Sequence, residues 1–212
     1  MIEIRSFIFS PFAENTYVLY DETKEAIVID PGCHVAEERE TLRHFIESNG
    51  LKVVKLLNTH CHIDHVFGNQ FIKSTFEVPL LIHPKDLPTL QACTLAAELY
   101  QLRPFEPSAP DAWLNEGEPI QFGQSTLEVI FVPGHAPGHV AFVSRAQKFT
   151  ISGDVLFRES IGRTDFPGCN HQDLIESIQK KMFALDDDFT VYPGHGPTTT
   201  IGHEKRFNPF LN

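Results

Sequence analysis

The sequence predicts a single-domain α+β protein spanning residues 1–212. Short runs that alternate apolar and polar residues, as β-strands do, occur in both halves of the chain, and both halves also contain stretches with apolar residues at helical spacing. With 42% hydrophobic residues, a chain of this length can bury one core without disulfides. These patterns fit two central sheets with helices outside, and they also fit other α+β layer arrangements.

The first half of the chain begins with a predicted antiparallel β-meander. Three short runs alternate apolar and polar side chains and are separated by turn-forming residues. These runs cover residues 2–9, 16–20 and 26–29. Asp30-Pro31-Gly32 follows the last run, after which helical spacing predicts a helix that ends near Gly50. The elements predicted next are a strand over 51–57, a helix over 66–75, a strand over 79–83, a helix from Pro84 to about Arg103 and a loop over 104–111.

The second half of the chain returns to strand-like alternation, which fills residues 113–132. Leu174, Ile178 and Met182 then lie four residues apart, and this spacing predicts an amphipathic helix over 172–185. Additional strands are predicted over 140–143, 149–151 and 189–192.

Composition and charge argue against several classes of function. The formal net charge of −11 produces a field that repels nucleic acid. No stretch reaches the roughly 18 consecutive apolar residues of a membrane span, and the N-terminal residues lack the layout of a signal peptide. We therefore expect a cytoplasmic protein that binds neither membranes nor nucleic acid. The four cysteines lie at irregular spacings without a C-x-x-C pair, which predicts free thiols, and the oligomeric state is left open.

A dense cluster of polar residues follows the predicted strand over 51–57. Within six residues the cluster contains His60, His62, Asp64 and His65. Imidazole and carboxylate are ligands that suit a borderline cation such as Zn²⁺. Strand-like alternation would point His60 and His62 the same way, and the turn that follows would redirect Asp64 and His65, which favours two neighbouring ions over one.

Three further motifs place a histidine or an aspartate beside a glycine at the end of an apolar run. They are Gly134-His135, Gly153-Asp154 and Gly194-His195. The adjacent glycine lets the backbone turn tightly and bring a ligand close. One such motif alone also fits a solvated loop. Together with the cluster at 60–65, the three motifs predict a composite metal site.

The motifs T-H-C-H-I-D-H, P-G-H-A-P-G-H, S-G-D and P-G-H-G, in this order, resemble the successive signature motifs of the metallo-β-lactamase superfamily. The resemblance covers residues 60–196. It implies an αββα sandwich, with two mixed β-sheets inside, helices outside and a site at the shared edge of both sheets. The implied ligands are His60, His62 and His135 for a first metal, Asp64, His65 and His195 for a second metal, and Asp154 as a bridge between the two.

The resemblance also implies the chemistry of the site. Two divalent ions lower the pKa of a shared water to about 7, so that hydroxide is supplied near neutral pH, and they polarise the carbonyl under attack. Asp64 and Asp154 would be the catalytic carboxylates. Zinc is the first expectation for the metal, and iron or manganese also suits these nitrogen and oxygen ligands. Asp30 and His139 are expected behind the ligands, where they would orient them.

Two motifs outside the ligand set resemble glyoxalase II and its short bacterial relatives. They are Gly162-Arg163-Thr164-Asp165-Phe166 and the stretch 204–211, which contains Asn208-Pro209-Phe210. The resemblance implies hydrolysis of a small-acyl thioester such as S-lactoylglutathione. Thiolate is an easily expelled leaving group, because the pKa of a thiol is about 8.5. Arg163 would either meet a substrate carboxylate or pair with Asp165, since arginine does both well.

Recognition of glutathione itself is expected to be weak. Full-length glyoxalase II enzymes carry a C-terminal helical region with basic contacts to glutathione, whereas this sequence stops at Asn212. The expected partner is therefore a small-molecule thioester whose thiol portion contributes little to binding.

Other functions stay open on the sequence. A persulfide dioxygenase, an iron oxidoreductase of the same fold, shares G-R-T-D-F and much of the ligand set but resembles a one-metal site. His139 favours hydrolysis, because that branch tends to have cysteine there. Zinc β-lactamases often have a cysteine ligand near the position of Asp154, which argues against antibiotic hydrolysis. A structural zinc module would use four ligands rather than seven, and a nuclease would need a basic patch that this chain lacks.

Overall fold

The computed structural model describes residues 1–211 and contains two six-stranded sheets within that range. The strands of the first sheet lie side by side in chain order: β1 (Glu3–Phe9), β2 (Glu14–Tyr20), β3 (Glu25–Ile29), β4 (Lys52–Leu57), β5 (Leu80–Ile82) and β6 (Ala112–Trp113). β1 to β3 pair antiparallel, which confirms the predicted meander. β3 to β6 pair in parallel, so this sheet is mixed.

The second sheet contains the strands of the second half of the chain. Its first four strands are β7 (Ile120–Phe122), β8 (Ser125–Phe131), β9 (Val140–Ser144) and β10 (Phe149–Gly153). A separate small hairpin follows, formed by β11 (Leu156–Phe157) and β12 (Ser160–Ile161). β13 (Thr190–Pro193) and β14 (Thr199–Thr200) then complete the sheet. β10 and β13 pair in parallel, whereas the other neighbours pair antiparallel, so the second sheet is mixed too.

Helices connect the strands. They are α1 (Ala36–Ser48), α2 (Ile63–Val66), α3 (Asn69–Phe76), α4 (Leu87–Leu99), α5 (His171–Ser177) and α6 (Ile201–Phe207). A 3₁₀ turn, Pro84–Asp86, precedes α4, and a π-helical turn, Ile178–Met182, continues α5. The long helix predicted from Pro84 therefore ends at Leu99, four residues earlier than expected. The sequence did not predict β14 and α6, where the Thr200 hydroxyl caps α6 by accepting from the His203 amide at 3.2 Å.

Apolar side chains form a core on both faces of each sheet. Between the two sheets, Leu19 and Ile27 of the first sheet pack with Phe142 of the second. The first sheet buries its other face against α1, α3 and α4, in the cluster that includes Val28 and Leu42. The second sheet does the same against α5, its π-helical continuation and α6. Helix, sheet, sheet and helix thus form four layers, as the αββα prediction requires.

Between residues 1 and 211, none of the helices combines the length and the apolar character needed to cross a bilayer. All four cysteines are free, which confirms the prediction from their spacing.

Candidate metal centre

Strand ends from both sheets deliver the predicted ligands to one place. β4 of the first sheet ends at Leu57 and leads into the segment that carries His60 and His62. In the second sheet, β10 and β13 run in parallel, so their carboxyl ends, followed by Asp154 and His195, lie at the same edge. His135 comes from the loop between β8 and β9. The fold therefore brings segments that are distant in sequence to one edge of the sandwich.

The predicted glycine requirement is met at Gly194. A Cβ atom at this position would lie 2.1 Å from Oδ1 of Asp154 and 2.7 Å from Cε1 of His65. A side chain there would displace two of the predicted ligands, so the backbone approaches the site as closely as only glycine allows.

A first group of donors consists of His60, His62 and His135. One nitrogen of each ring lies within 4.8 Å of the others. Nδ1 of His62 and Nε2 of His135 are 2.8 Å apart. Nδ1 of His135 lies 2.8 Å from the carbonyl oxygen of Arg163, and because a carbonyl only accepts, this Nδ1 must carry the proton. Nε2 of His135 therefore presents a lone pair to the group, which is the form that binds a metal.

A second group consists of Asp64, His65 and His195, whose ligand atoms also lie within 4.8 Å of one another. Nε2 of His195 is 3.2 Å from Oδ2 of Asp64. Nδ1 of His195 donates to the carbonyl oxygen of Phe12 at 3.1 Å. The protein thus holds His195 by one ring nitrogen and turns the other towards the carboxylate.

Asp154 lies between the two groups. Its Oδ2 is 3.5 Å from Nε2 of His135 in the first group and 3.6 Å from Nε2 of His195 in the second. Its Oδ1 is 3.5 Å from Nε2 of His65. The carboxylate therefore faces donors of both groups, as a ligand shared by two ions would.

The donors fit divalent cations. Within residues 1–211, Nε2 of His60, Nε2 of His65 and Oδ1 of Asp154 are buried without a hydrogen-bond partner. Buried polar atoms are almost always partnered, so three unpartnered atoms that converge on one place call for a group that accepts their lone pairs. A metal ion satisfies imidazole nitrogen and carboxylate oxygen together.

The electrostatics of the first donor group and of Asp154 favour the metal-binding protonation states. Burial lowers the pKa of His60 well below its usual range, and burial together with the neighbouring His135 lowers the pKa of His62 to about 3. Both rings are therefore neutral at physiological pH. Burial opposes ionisation of Asp154, but His65 and the other nearby imidazoles outweigh it and lower the pKa of this carboxyl, which is ionised.

His195 behaves differently from the first group. Burial works against its charged form, but the hydrogen bond to Asp64 and the charge of Asp154 outweigh burial and raise the pKa of His195 above its usual value. The second group therefore holds a proton more readily than the first.

Asp30 and His139 lie directly behind the ligands. Asp30 accepts hydrogen bonds from the amide of Thr59 at 2.7 Å and from its hydroxyl at 2.6 Å, and its Oδ2 lies 3.2 Å from Nδ1 of His65. Nε2 of His139 accepts from the backbone amide of Asp154 at 3.0 Å. Both residues therefore lie where the sequence placed them, one orienting a ring and the other holding the backbone of the central carboxylate.

The side chain of Arg163 takes the second of the two roles considered from sequence. Its guanidinium makes two hydrogen bonds of 2.6 Å to the carboxylate of Asp165 and lies over the ring of Phe166 at 4.1 Å. The ring of Phe166 in turn meets His62 edge-on, at 5.2 Å between centroids. Arg163 contacts the ligands through its carbonyl oxygen, which accepts from His135.

Sequence analysis missed two buried carboxyl groups close to the ligands. Glu14 is fully buried, its Oε2 accepts from the hydroxyl of Thr16 at 2.8 Å, and its Oε1 lies 3.9 Å from Nδ1 of His65. Asp86, also fully buried, accepts from the amide of Cys61. A glutamate at the start of a strand that continues into the apolar run 17–20 could have indicated the first. Nothing local to Asp86 distinguishes it from an ordinary residue at a helix start.

Comparison with known proteins agrees with this geometry. The family model described as the metallo-beta-lactamase superfamily matches residues 10–195. The chain belongs to the metallo-beta-lactamase superfamily. Hydroxyacylglutathione hydrolase GloC of Haemophilus influenzae is 40% identical to this superfamily member, over 95% of this chain and 94% of GloC.

Two solved structures of the superfamily share the whole fold. BLEG-1, a B3 metallo-beta-lactamase, superposes with a TM-score of 0.90 at 36% identity, covering 99% of this chain and 100% of BLEG-1. TTHA1623, solved in a di-iron-bound form, superposes with a TM-score of 0.88 at 37% identity, covering 98% of this chain and 100% of TTHA1623. The αββα prediction is confirmed. Family, relatives and donor groups together support a metal-dependent hydrolase that binds divalent metal ions, with the identity of the metal still open.

Proposed function

We propose that this superfamily member hydrolyses small-acyl thioesters of the S-lactoylglutathione type, with two divalent metal ions, zinc in the first instance. The observation that carries the proposal is the position of Asp154, whose carboxylate faces His135 of the first donor group and His65 and His195 of the second. A carboxylate that faces two complete donor groups is the arrangement that a two-metal site requires. The similarity to GloC, named a hydroxyacylglutathione hydrolase, supports a thioester as the substrate.

Each donor group would hold one ion. His60, His62 and His135 would bind the first, Asp64, His65 and His195 the second, and Asp154 both. Divalent ions held by these residues would supply an acidified water as the nucleophile and would polarise the substrate carbonyl. The protein keeps the histidines of the first group neutral by burial and keeps Asp154 ionised by the surrounding imidazoles.

The protonation states favour a substrate with a good leaving group. Burial raises the pKa of the Asp64 carboxyl, but His65 and the hydrogen bond from His195 outweigh it and lower the pKa, as the imidazoles do at Asp154. Both carboxyl groups are therefore ionised near neutral pH and cannot donate a proton to a departing group. An amide nitrogen needs that proton, whereas a thiolate with a pKa of about 8.5 leaves without it.

Recognition of the thiol portion should be weak, because the exposed guanidinium of Arg163 is already neutralised by Asp165. A cation that is paired in this way attracts a substrate carboxylate less than a free one does. Binding energy for the thiol portion would then come from other contacts. A substrate with a truncated thiol should therefore have a kcat/KM only modestly lower than that of the glutathione thioester.

The proposal is tested by comparing substrates on the metal-loaded protein. Four substrates are supplied at equal concentrations: the lactoyl thioesters of glutathione and of N-acetylcysteamine, a phosphodiester and a β-lactam. Release of product is followed by absorbance. We expect hydrolysis of both thioesters, with kcat/KM values that differ by less than about 100-fold, which corresponds to about 2.7 kcal/mol of transition-state binding. A larger preference for glutathione would contradict weak thiol recognition.

Two other results would overturn the proposal itself. Turnover of the β-lactam at a rate above that of either thioester would assign the chain to the activity for which BLEG-1 is named. Oxygen uptake with glutathione persulfide, on a protein that holds one iron and cleaves no thioester, would establish the dioxygenase alternative. The variant Asp154→Asn serves as the inactive control, and Asp21→Asn, at a buried carboxylate outside the donor groups, serves as the control for folding.

A further inference from the structure

Asp86 is a buried carboxylate that joins two loops of the candidate metal centre. Its Oδ2 accepts from the backbone amide of Cys61, and its Oδ1 accepts from the backbone amide of Gly138 at 3.0 Å and from the hydroxyl of Thr89 at 3.3 Å. The residue is completely shielded from solvent. A buried carboxylate with three donors is firmly held and holds its donors equally firmly.

The two backbone amides belong to loops that carry the first donor group. Cys61 lies between His60 and His62, in the segment that follows β4 of the first sheet. Gly138 lies in the loop between β8 and β9 of the second sheet, which also carries His135. One carboxylate therefore connects ligand-bearing loops from both halves of the sandwich, although it touches none of the ligand side chains itself.

The close approach at Gly138 is built into the sequence. A Cβ atom there would lie 2.5 Å from both Cβ and the backbone nitrogen of Asp86. Only glycine lets the loop come near enough for its amide to reach the carboxylate.

Asp86 is itself fixed by the elements around it. It ends the 3₁₀ turn that precedes α4, and α4 buries Leu90 and Cys93 in the core. Sγ of Cys93 lies 3.2 Å from the carbonyl oxygen of Cys61, so α4 contacts the ligand segment a second time. Because α4 is packed in the core and fixes Asp86, the carboxylate holds the two loops in a defined position relative to this helix.

We propose that Asp86 is a positioning residue, which holds the segment of His60 and His62 against the loop of His135 and so sets the geometry and affinity of the first donor group for its metal ion. The inference rests on the proposed assignment of these histidines as ligands. A separate hydrogen bond, from the amide of Val140 to the carbonyl of Thr59 at 2.8 Å, also joins the two loops. Loss of the carboxylate should therefore loosen the donor group without separating the sheets.

Asp21 provides a matched control for the test. It is a buried carboxylate that accepts from the amide of Thr23 at 2.9 Å and from the amide of Gln124 and the hydroxyl of Ser125 at 2.8 Å, and it connects the first sheet to the second as Asp86 does. No predicted ligand lies in the segments that it joins. Replacement of either aspartate by asparagine removes one acceptor oxygen and a charge, with almost no change in shape.

The test measures metal binding without turnover. The test uses three full-length proteins, each freed of metal: Asp86→Asn, Asp21→Asn and the unaltered protein. Each protein is titrated with Zn²⁺ in competition with a chromophoric chelator, and with Co²⁺ while visible absorption is recorded. Thermal unfolding is measured for each as well. We expect Asp86→Asn to bind the ion of the first donor group about 10–100-fold more weakly, which is the usual loss when a residue that positions a metal ligand is replaced. The Co²⁺ spectrum should change, and the affinity for the other ion should not. Asp21→Asn should lose stability but bind both ions normally.

Equal affinities in Asp86→Asn and the unaltered protein, or equal losses in the two variants, would overturn the assignment and leave Asp86 with a general structural role. Should Asp86→Asn fail to fold, Gly138→Ala tests the same contact from the other side, and it should show the same loss at one ion only. Normal binding of both ions by Gly138→Ala would also overturn the assignment. Failure of the unaltered protein to bind a second ion would contradict the proposed function separately, because the effect of Asp86 on the first ion would still be measurable.

Discussion

Replacement of Asp154 by alanine should remove more metal affinity than any other single change in the site. Its carboxylate lies 3.5 to 3.6 Å from nitrogen atoms of His135, His65 and His195, so the change would remove one ligand from each of the two proposed ions. Loss of a residue behind a ligand typically costs about 10–100-fold, or about 1.4–2.7 kcal/mol. If each lost ligand costs at least that much, the combined loss is about 100–10,000-fold, or about 2.7–5.5 kcal/mol.

His139→Ala is the comparison for this prediction. Nε2 of His139 contacts the central carboxylate only indirectly, by accepting from the backbone amide of Asp154. Its loss should remain within about 10–100-fold. Metal content by elemental analysis and thioester hydrolysis are measured on both variants, after circular dichroism has shown that both are folded. Equal losses in the two variants, with metal content unchanged in Asp154→Ala, would mean that Asp154 does not bridge the ions.

Two further predictions concern pH and Arg163. Burial lowers the pKa of His62 to about 3, whereas the hydrogen bond to Asp64 outweighs burial and raises the pKa of His195. On acidification, protons should therefore compete with the metal ion of the second donor group first. Metal content after dialysis at successively lower pH should therefore fall in two steps, with the ion at His195 lost first; a single step that removes both ions together would contradict this order. Arg163→Ala should keep its full metal content, because the bond to His135 is made by the backbone carbonyl and the exposed ion pair with Asp165 is screened by solvent. Loss of metal from this variant would show that the side chain, rather than the backbone, positions His135.

Local sequence patterns predicted most of the longer elements and singled out the candidate donor residues. Three short strand-like runs separated by turn-forming residues predicted the meander in the first thirty residues. The candidate ligands were singled out because several histidines and aspartates lie beside glycines at the ends of apolar runs, as a composite metal site requires. That these residues would lie close together in space was predicted from the resemblance to the superfamily and not from the periodicity of the sequence.

Local sequence patterns could not predict contacts between residues that are distant in sequence. Asp86 is 25 positions from Cys61 and 52 positions from Gly138, and nothing local shows that one carboxylate reaches both amides. The short β14 and the seven-residue α6 contain too few residues for a periodicity to appear. A helix was predicted over 172–185 and is observed, but it ends at Met182, and the spacing did not show the change to π-helical hydrogen bonding after Ser177.

Titration of metal-free protein with Zn²⁺, followed by hydrolysis of a lactoyl thioester, tests the central claim most directly. The claim is that one carboxylate, Asp154, serves two complete donor groups in a thioester hydrolase. We expect activity to rise until two ions are bound per chain and to remain constant beyond that point. Full activity with a single ion, or no thioester hydrolysis with two ions bound, would contradict the account.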